Sequence, residues 1–153
     1  MITIKTARAV ADLAAGLCIA TVEVPASAER VFDALASDEV CRWWVRPGVF
    51  DTREWTGDVR PGGKWRASGV GGGRPYTLEG QFLEVEKPHR LVHTWTLAGT
   101  PEATTTIEYV LEPADGGTRV TLRQSRFAGR GTCAATAIGW ETSFDELARL
   151  LGN

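Results

Sequence analysis

Histidine and cysteine are scarce in this sequence: its 153 residues hold two histidines, His89 and His93, and three cysteines, Cys18, Cys41 and Cys133. Neither histidine stands at ligand spacing from a cysteine or carboxylate, so no metal and no cofactor is expected. The cysteines are odd in number and far apart. They match no disulfide framework, and a reducing cytoplasm is the expected location. No apolar run approaches the roughly 20 residues of a membrane helix, which excludes insertion by that route. Asp12 interrupts the mildly apolar N-terminus, so no signal peptide is expected. Seventeen basic against nineteen acidic residues leave a formal charge of -2, with no excess of cations to draw nucleic acid or an anionic membrane. Gly71-Gly72-Gly73 lacks the Lys-Ser/Thr of a phosphate loop and is expected at a hairpin tip.

Tryptophan is abundant instead. Trp43, Trp44, Trp55, Trp65, Trp95 and Trp140 either build a core or wall a cavity, and the sequence leaves both open. Hydrophobic residues at 43% and charged residues at 24% are ordinary for a globular chain, enough for a core without staples. The length suits a single domain over 1–153.

Leu17 to Val24 has strand composition, ended by Pro25. Ser27 is a good N-cap, with Glu29 in the first turn and Val31, Phe32 and Leu35 at helical spacing. A second short helix is expected from about Asp38 to Trp43 and Trp44, before Pro47-Gly48. Strands and turns then alternate over residues 49–127. Tyr76, Leu78, Gly80 and Phe82 share one face of a strand, Leu91, His93, Trp95 and Leu97 one face of the next. Thr105, Ile107, Tyr109 and Leu111 alternate likewise, and so do Val120, Leu122 and Gln124. Cys133, Ala137, Trp140, Phe144, Leu147 and Leu151 form one helical stripe on an element of about 20 residues, about 30 Å long. The order is α+β: a curved antiparallel sheet of about six to seven strands, two short helices and a long C-terminal helix. Arg53, Arg66, Arg123 and Arg126 are read as a solvated outer face or a basic streak.

VPASAERVFDAL, RWWVRPGVF, GDVRPGGKWR, LEGQFLEVEKPHRLVHTWT, GGTRVTLRQSRF and GWETSFDELARLL occur in that order. Together, over about residues 18–151, they resemble the activator-of-heat-shock-protein-90-ATPase-like branch of the START-like, or SRPBCC, superfamily. The resemblance implies a helix-grip fold enclosing a cavity between the sheet and the last helix. The sequence departs from the pattern at His93, where many relatives carry an aromatic, and at Gln124, where many carry His. Residues 1–16 precede the usual start. Gly62 and Gly63 are expected in a tight turn with positive φ, and Asp58 to bond that turn or pair with Arg60. No acid or nucleophile can be assigned to His93, which reads as a neutral core histidine rather than a base.

The expected function is binding of a small apolar, amphipathic or aromatic ligand. Trp65, Tyr76, Phe82, His93, Trp95, Tyr109, Gln124, Trp140 and Phe144 are the candidate cavity residues, His93 and Gln124 being the polar pair. The alternatives are a cyclase- or hydrolase-like enzyme using the same cavity and a partner-binding module that stimulates a chaperone ATPase. A homodimer is left open.

Overall fold

The computed structural model describes residues 6–127 and 129–152. Its strands are β1 (Arg8–Asp12), β2 (Leu17–Val24), β3 (Val45–Arg46), β4 (Phe50–Gly57), β5 (Lys64–Gly71), β6 (Arg74–Glu86), β7 (Arg90–Leu97), β8 (Thr105–Ala114) and β9 (Gly117–Ser125). Its helices are α1 (Ala28–Leu35), α2 (Val40–Trp43) and α3 (Arg130–Leu151), and a 3-10 turn spans Pro101–Ala103. The strands form one curved antiparallel sheet in the order β1-β2-β9-β8-β7-β6-β5-β4-β3. From β3 to β9 each strand pairs with the next in sequence. β9 then pairs with β2, which brings the chain's beginning and end together.

The sheet has nine strands, not the six to seven expected. The two that sequence reasoning missed, β1 and β3, are its two edges. Five-residue RAVAD contains no fully buried position, and Val45–Arg46 is too short to show any alternation. Edge strands are held by one neighbour and need little apolar character of their own, so their sequences carry little signal.

Ser27 caps α1 as expected, its hydroxyl accepting from Arg30 N at 3.2 Å, and Val31, Phe32 and Leu35 are buried with Ala34. Gly72 and Gly73 both take positive φ, 59° and 76°, which closes the β5–β6 hairpin in two residues. Gly62 has φ 86°, but Gly63 does not share it. Gly63 is needed for a different reason: a Cβ there would lie 1.9 Å from the Asp58 carbonyl oxygen. Asp58 pairs with Arg60 at 2.6 Å.

The outer face carries no basic streak. Arg66 stands opposite Glu79 on β6, Arg123 opposite Glu108 on β8, and Arg53 pairs with Asp51 at 2.8 Å. It is a mixed-charge solvated surface.

The inner face of the sheet meets α3. The helix leans on β1 and β2 on one side and on α2 and β3 on the other. Cys133, Ala137, Trp140, Phe144 and Leu147 of the predicted stripe are buried. Trp43 donates from Nε1 to the Ala34 carbonyl at 2.8 Å, tying α2 to α1, and its ring meets Trp140 and Phe144 of α3, each at 6.2 Å. Trp44 meets Trp65 of β5 edge-on at 5.6 Å. The short helices are thus fastened between α3 and the sheet by two adjacent tryptophans.

Phe144 is fully buried, with the Trp43 ring at 6.2 Å and the Trp140 ring at 5.7 Å. Replacing Phe144 by Ala is expected to lower the unfolding free energy by about 3–5 kcal/mol in urea titrations. A loss below about 1 kcal/mol, the scale of an ordinary surface change, would contradict this packing of α3.

Candidate functional site

The candidate cavity residues divide into two groups. Trp65, Phe82, His93, Tyr109, Gln124 and Phe144 lie in a buried layer between the sheet and the inner stripe of α3. Their rings touch: His93 meets Trp65 at 5.0 Å, Phe82 at 5.9 Å and Tyr109 at 5.9 Å. Tyr76, Trp95 and Trp140 instead line an open cleft of about 620 Å³ beside that layer. One wall of the cleft is sheet: Phe50 and Thr52 of β4, Tyr76 and Leu78 of β6, and Trp95 of β7. The facing wall is the first half of α3, with Gly131, Thr132, Ala135, Thr136, Gly139, Trp140 and Ser143. Trp44, Arg46 and Val49, from the chain following α2, complete it. His93 and Gln124 therefore do not meet in this space.

Gln124 has a different task. Its Nε2 donates to Thr105 Oγ1 at 2.8 Å and its Oε1 accepts from Trp140 Nε1 at 2.7 Å. Thr105 Oγ1 passes a hydrogen bond on to the Trp95 carbonyl at 3.3 Å. A fully buried amide is expensive unless its groups are paired. Here the pairing joins α3, β9, β8 and β7, and it sets the position of two tryptophans that wall the cleft.

His93 is held by an Nδ1 contact of 2.9 Å to the Thr94 carbonyl, which also accepts from Trp65 Nε1 at 3.1 Å. Gly80 permits that second bond, because a Cβ there would lie 2.4 Å from Trp65 Nε1. Burial drives the His93 pKa down to about 4, the Thr94 contact opposing it only in part, so the imidazole is neutral. Tyr109 is likewise buried, and desolvation raises its phenol far above the ordinary range. The Trp44 N–H lies near enough to temper that rise, yet neither Trp44 Nε1 nor Tyr109 OH has a partner in hydrogen-bond geometry. Trp95 Nε1 is also buried without an acceptor.

At the cleft, Thr52 Oγ1 donates to the Trp44 carbonyl at 2.8 Å and lies 2.7 Å from Tyr76 OH, which also reaches the Asp51 carbonyl at 3.1 Å. Partial burial raises the Tyr76 pKa. Among the described residues no group of three His, Cys, Asp or Glu is placed to hold a metal ion.

Sequence reasoning missed the helical wall. Gly131, Ala135 and Gly139 step by four, so they share one face of α3. That spacing of small residues was readable. Glycine inside a helix costs roughly 0.5–1 kcal/mol relative to alanine. A Cβ at Gly131 or Gly139 would meet nothing within 4 Å, so no neighbouring element requires either glycine. Larger side chains there would project into the cleft.

Because the unfolded chain binds the His93 proton near pH 6.5 and the folded one near 4, acid favours unfolding. Between pH 6.5 and 5 wild-type stability is expected to fall by about 1.5 kcal/mol from this group. His93→Phe should flatten that part of the profile in urea titrations at successive pH values. A profile unchanged by the substitution would contradict the buried neutral imidazole.

The fold recurs among solved structures. Protein Ms6760 from Mycobacterium smegmatis superposes with a TM-score of 0.81 at 22% identity, covering 97% of each chain. CalU16 from Micromonospora echinospora gives a TM-score of 0.64 at 21% identity, over 99% of this chain and 87% of that one. DynU16, from the dynemicin biosynthetic locus, gives 0.71 at 22% identity over 90% of this chain and 48% of that one. No curated protein matches the chain. A family model matches residues 25–152, and the chain belongs to the Activator of Hsp90 ATPase homolog 1-like protein family.

Proposed function

We propose that this protein binds a small aromatic or apolar molecule in the cleft between the first half of α3 and strands β4 to β7. The observation that carries this reading is the small-residue wall of α3. Gly139 weakens the helix interior it belongs to, and neither it nor Gly131, in the first turn, satisfies a packing need; both line the open space. Their effect is to keep the cleft open. Its volume of about 620 Å³ lies within the range of small-molecule sites, and its walls have the usual composition of such sites: aromatic surfaces with a few hydroxyls.

The buried layer supplies rigidity. Trp140 is bonded to Gln124 and packed against the tilted Phe144 ring, so one wall is fixed before a ligand arrives. Preorganised walls reduce the entropy lost on binding. The only nearby imidazole, His93, is enclosed among rings and lines no part of the cleft. Binding therefore accounts for the arrangement without assigning a reaction to it.

A neutral fluorescent probe, N-phenyl-1-naphthylamine, tests this directly. Wild type should give a saturable fluorescence rise and an increase in melting temperature. Gly139→Leu should gain roughly 0.5–1 kcal/mol of stability from helix propensity yet lose about tenfold or more in probe affinity. Trp95→Ala should also weaken binding. Absence of saturable binding by wild type, or undiminished binding by Gly139→Leu, would refute the cleft as the site.

A further inference from the structure

We propose that the cleft selects aromatic acids: a ring system among its aromatic side chains, with one carboxylate or sulfonate group at Arg46. This rests on the cleft being a small-molecule site and specifies the chemistry of its ligand.

The charge inventory of the walls carries the inference. Among the described lining residues Arg46 alone bears a formal charge, and no Asp, Glu or Lys is present. Arg46 forms no ion pair or side-chain hydrogen bond among the described residues. The nearest carboxylate along the β3–β4 hairpin, Asp51, is already bound by Arg53 through Nε at 2.8 Å. A guanidinium has five N–H donors in a planar fork suited to an oxyanion. Arg46 is half-buried and lines the cleft with apolar Val49 and Phe50, and no described residue receives its side-chain donors.

Trp95 presents its ring to the cleft while its Nε1 is buried. The hydroxyls of Thr132 and Ser143 also line the space and can donate to an anion. The hydroxyls of Thr52 and Thr136 already donate to main-chain carbonyls, at 2.8 and 2.7 Å. The first turn of α3, which also lines the cleft, has no side-chain cap, so its N–H groups add to the positive potential. An amine would meet a cation and no counter-charge, whereas an acid meets a cation and hydroxyls able to donate. Because Arg46 is half-buried, an anion beside it keeps part of its hydration and avoids the full desolvation cost of a buried pair. Trp44, Phe50, Tyr76, Trp95 and Trp140 make the remaining walls suited to flat rings.

Two probes with one ring system separate the charge from the body. 8-Anilinonaphthalene-1-sulfonate is N-phenyl-1-naphthylamine with an added sulfonate. Both are titrated by fluorescence into wild type, Arg46→Gln, Arg46→Lys and Gly139→Leu, with thermal melts to confirm folding. Arg46→Gln should lower affinity for the sulfonate roughly tenfold and leave the neutral probe within about twofold. Arg46→Lys should retain most of the sulfonate affinity, and Gly139→Leu should lose both probes. Salt gives a readout that needs no variant: raising it from about 0.02 to about 0.5 M should weaken the sulfonate several-fold and spare the neutral probe. If both probes bind wild type but respond alike to Arg46→Gln and to salt, the acid contact is refuted while the cleft reading stands. If neither binds wild type saturably, the cleft reading itself falls and this inference with it.

Discussion

The bond from Trp140 Nε1 to Gln124 Oε1, 2.7 Å long, is where the last helix meets the sheet. Around it Trp140 is caged by Trp43, Trp44, Tyr109 and Phe144, with ring centres 5.7–6.2 Å away. The indole edge needs an acceptor once it leaves water, and a fully buried glutamine needs both a donor and an acceptor. Each satisfies the other's demand, and Thr105 completes the chain. Rotating α3 about its axis, or sliding it by a turn, would leave the indole N–H and the amide oxygen unpaired. The polar bond thus fixes a register that apolar packing alone leaves loose.

From that fixed point the helix divides along its length. Its inner stripe is filled with large side chains and closes on a dense aromatic layer. Its first half turns Gly131, Ala135 and Gly139 toward the far strands, where no side chain replaces them. One helix thereby makes a solid core and an open cleft at once. The buried layer bears the cost of neutral His93 and of the unpaired Tyr109 and Trp44 groups, while the cleft gives up helix propensity at Gly139. Arg46, the one formal charge among the described lining residues, is half-buried, so water still reaches it in the free protein.

Much of the fold was legible in the residues. The stripe from Cys133 to Leu147 marked the buried face of α3, Ser27 marked the start of α1, and the alternations in β6 to β9 marked inner faces that the structure buries in β8 and β9 and in part in β6 and β7, where Leu97 at the strand end is exposed. These are local signals, produced by a 3.6-residue or two-residue period against a single apolar surface. β1 and β3 gave no such signal, because edge strands take their pairing from a neighbour. The order of the elements was read from the residues, and the family resemblance supplied the grip of the helix. The candidate site was legible in part. Tyr76, Trp95 and Trp140 could be placed on inward faces from parity, whereas the opposite wall required knowing which side of α3 lacked a neighbour.

By itself the sequence determined the inward faces of β6 to β9 and of α3, because burial must follow the backbone period. It also determined that His93 and Gln124 point inward, since they share faces with Leu91 and Leu122. Only the tertiary structure decided that the two are separated from the cleft. Parity says which side of a strand a residue occupies, but not how far across a curved sheet the helix extends. Where α3 lies against the sheet, inward residues become core, as Gln124, Tyr109 and Phe144 do. Where it stands away, inward residues such as Tyr76 and Trp95 become walls. That distance is set by the Trp140–Gln124 bond and by the size of side chains on two faces of one helix, and neither is a local property of the chain.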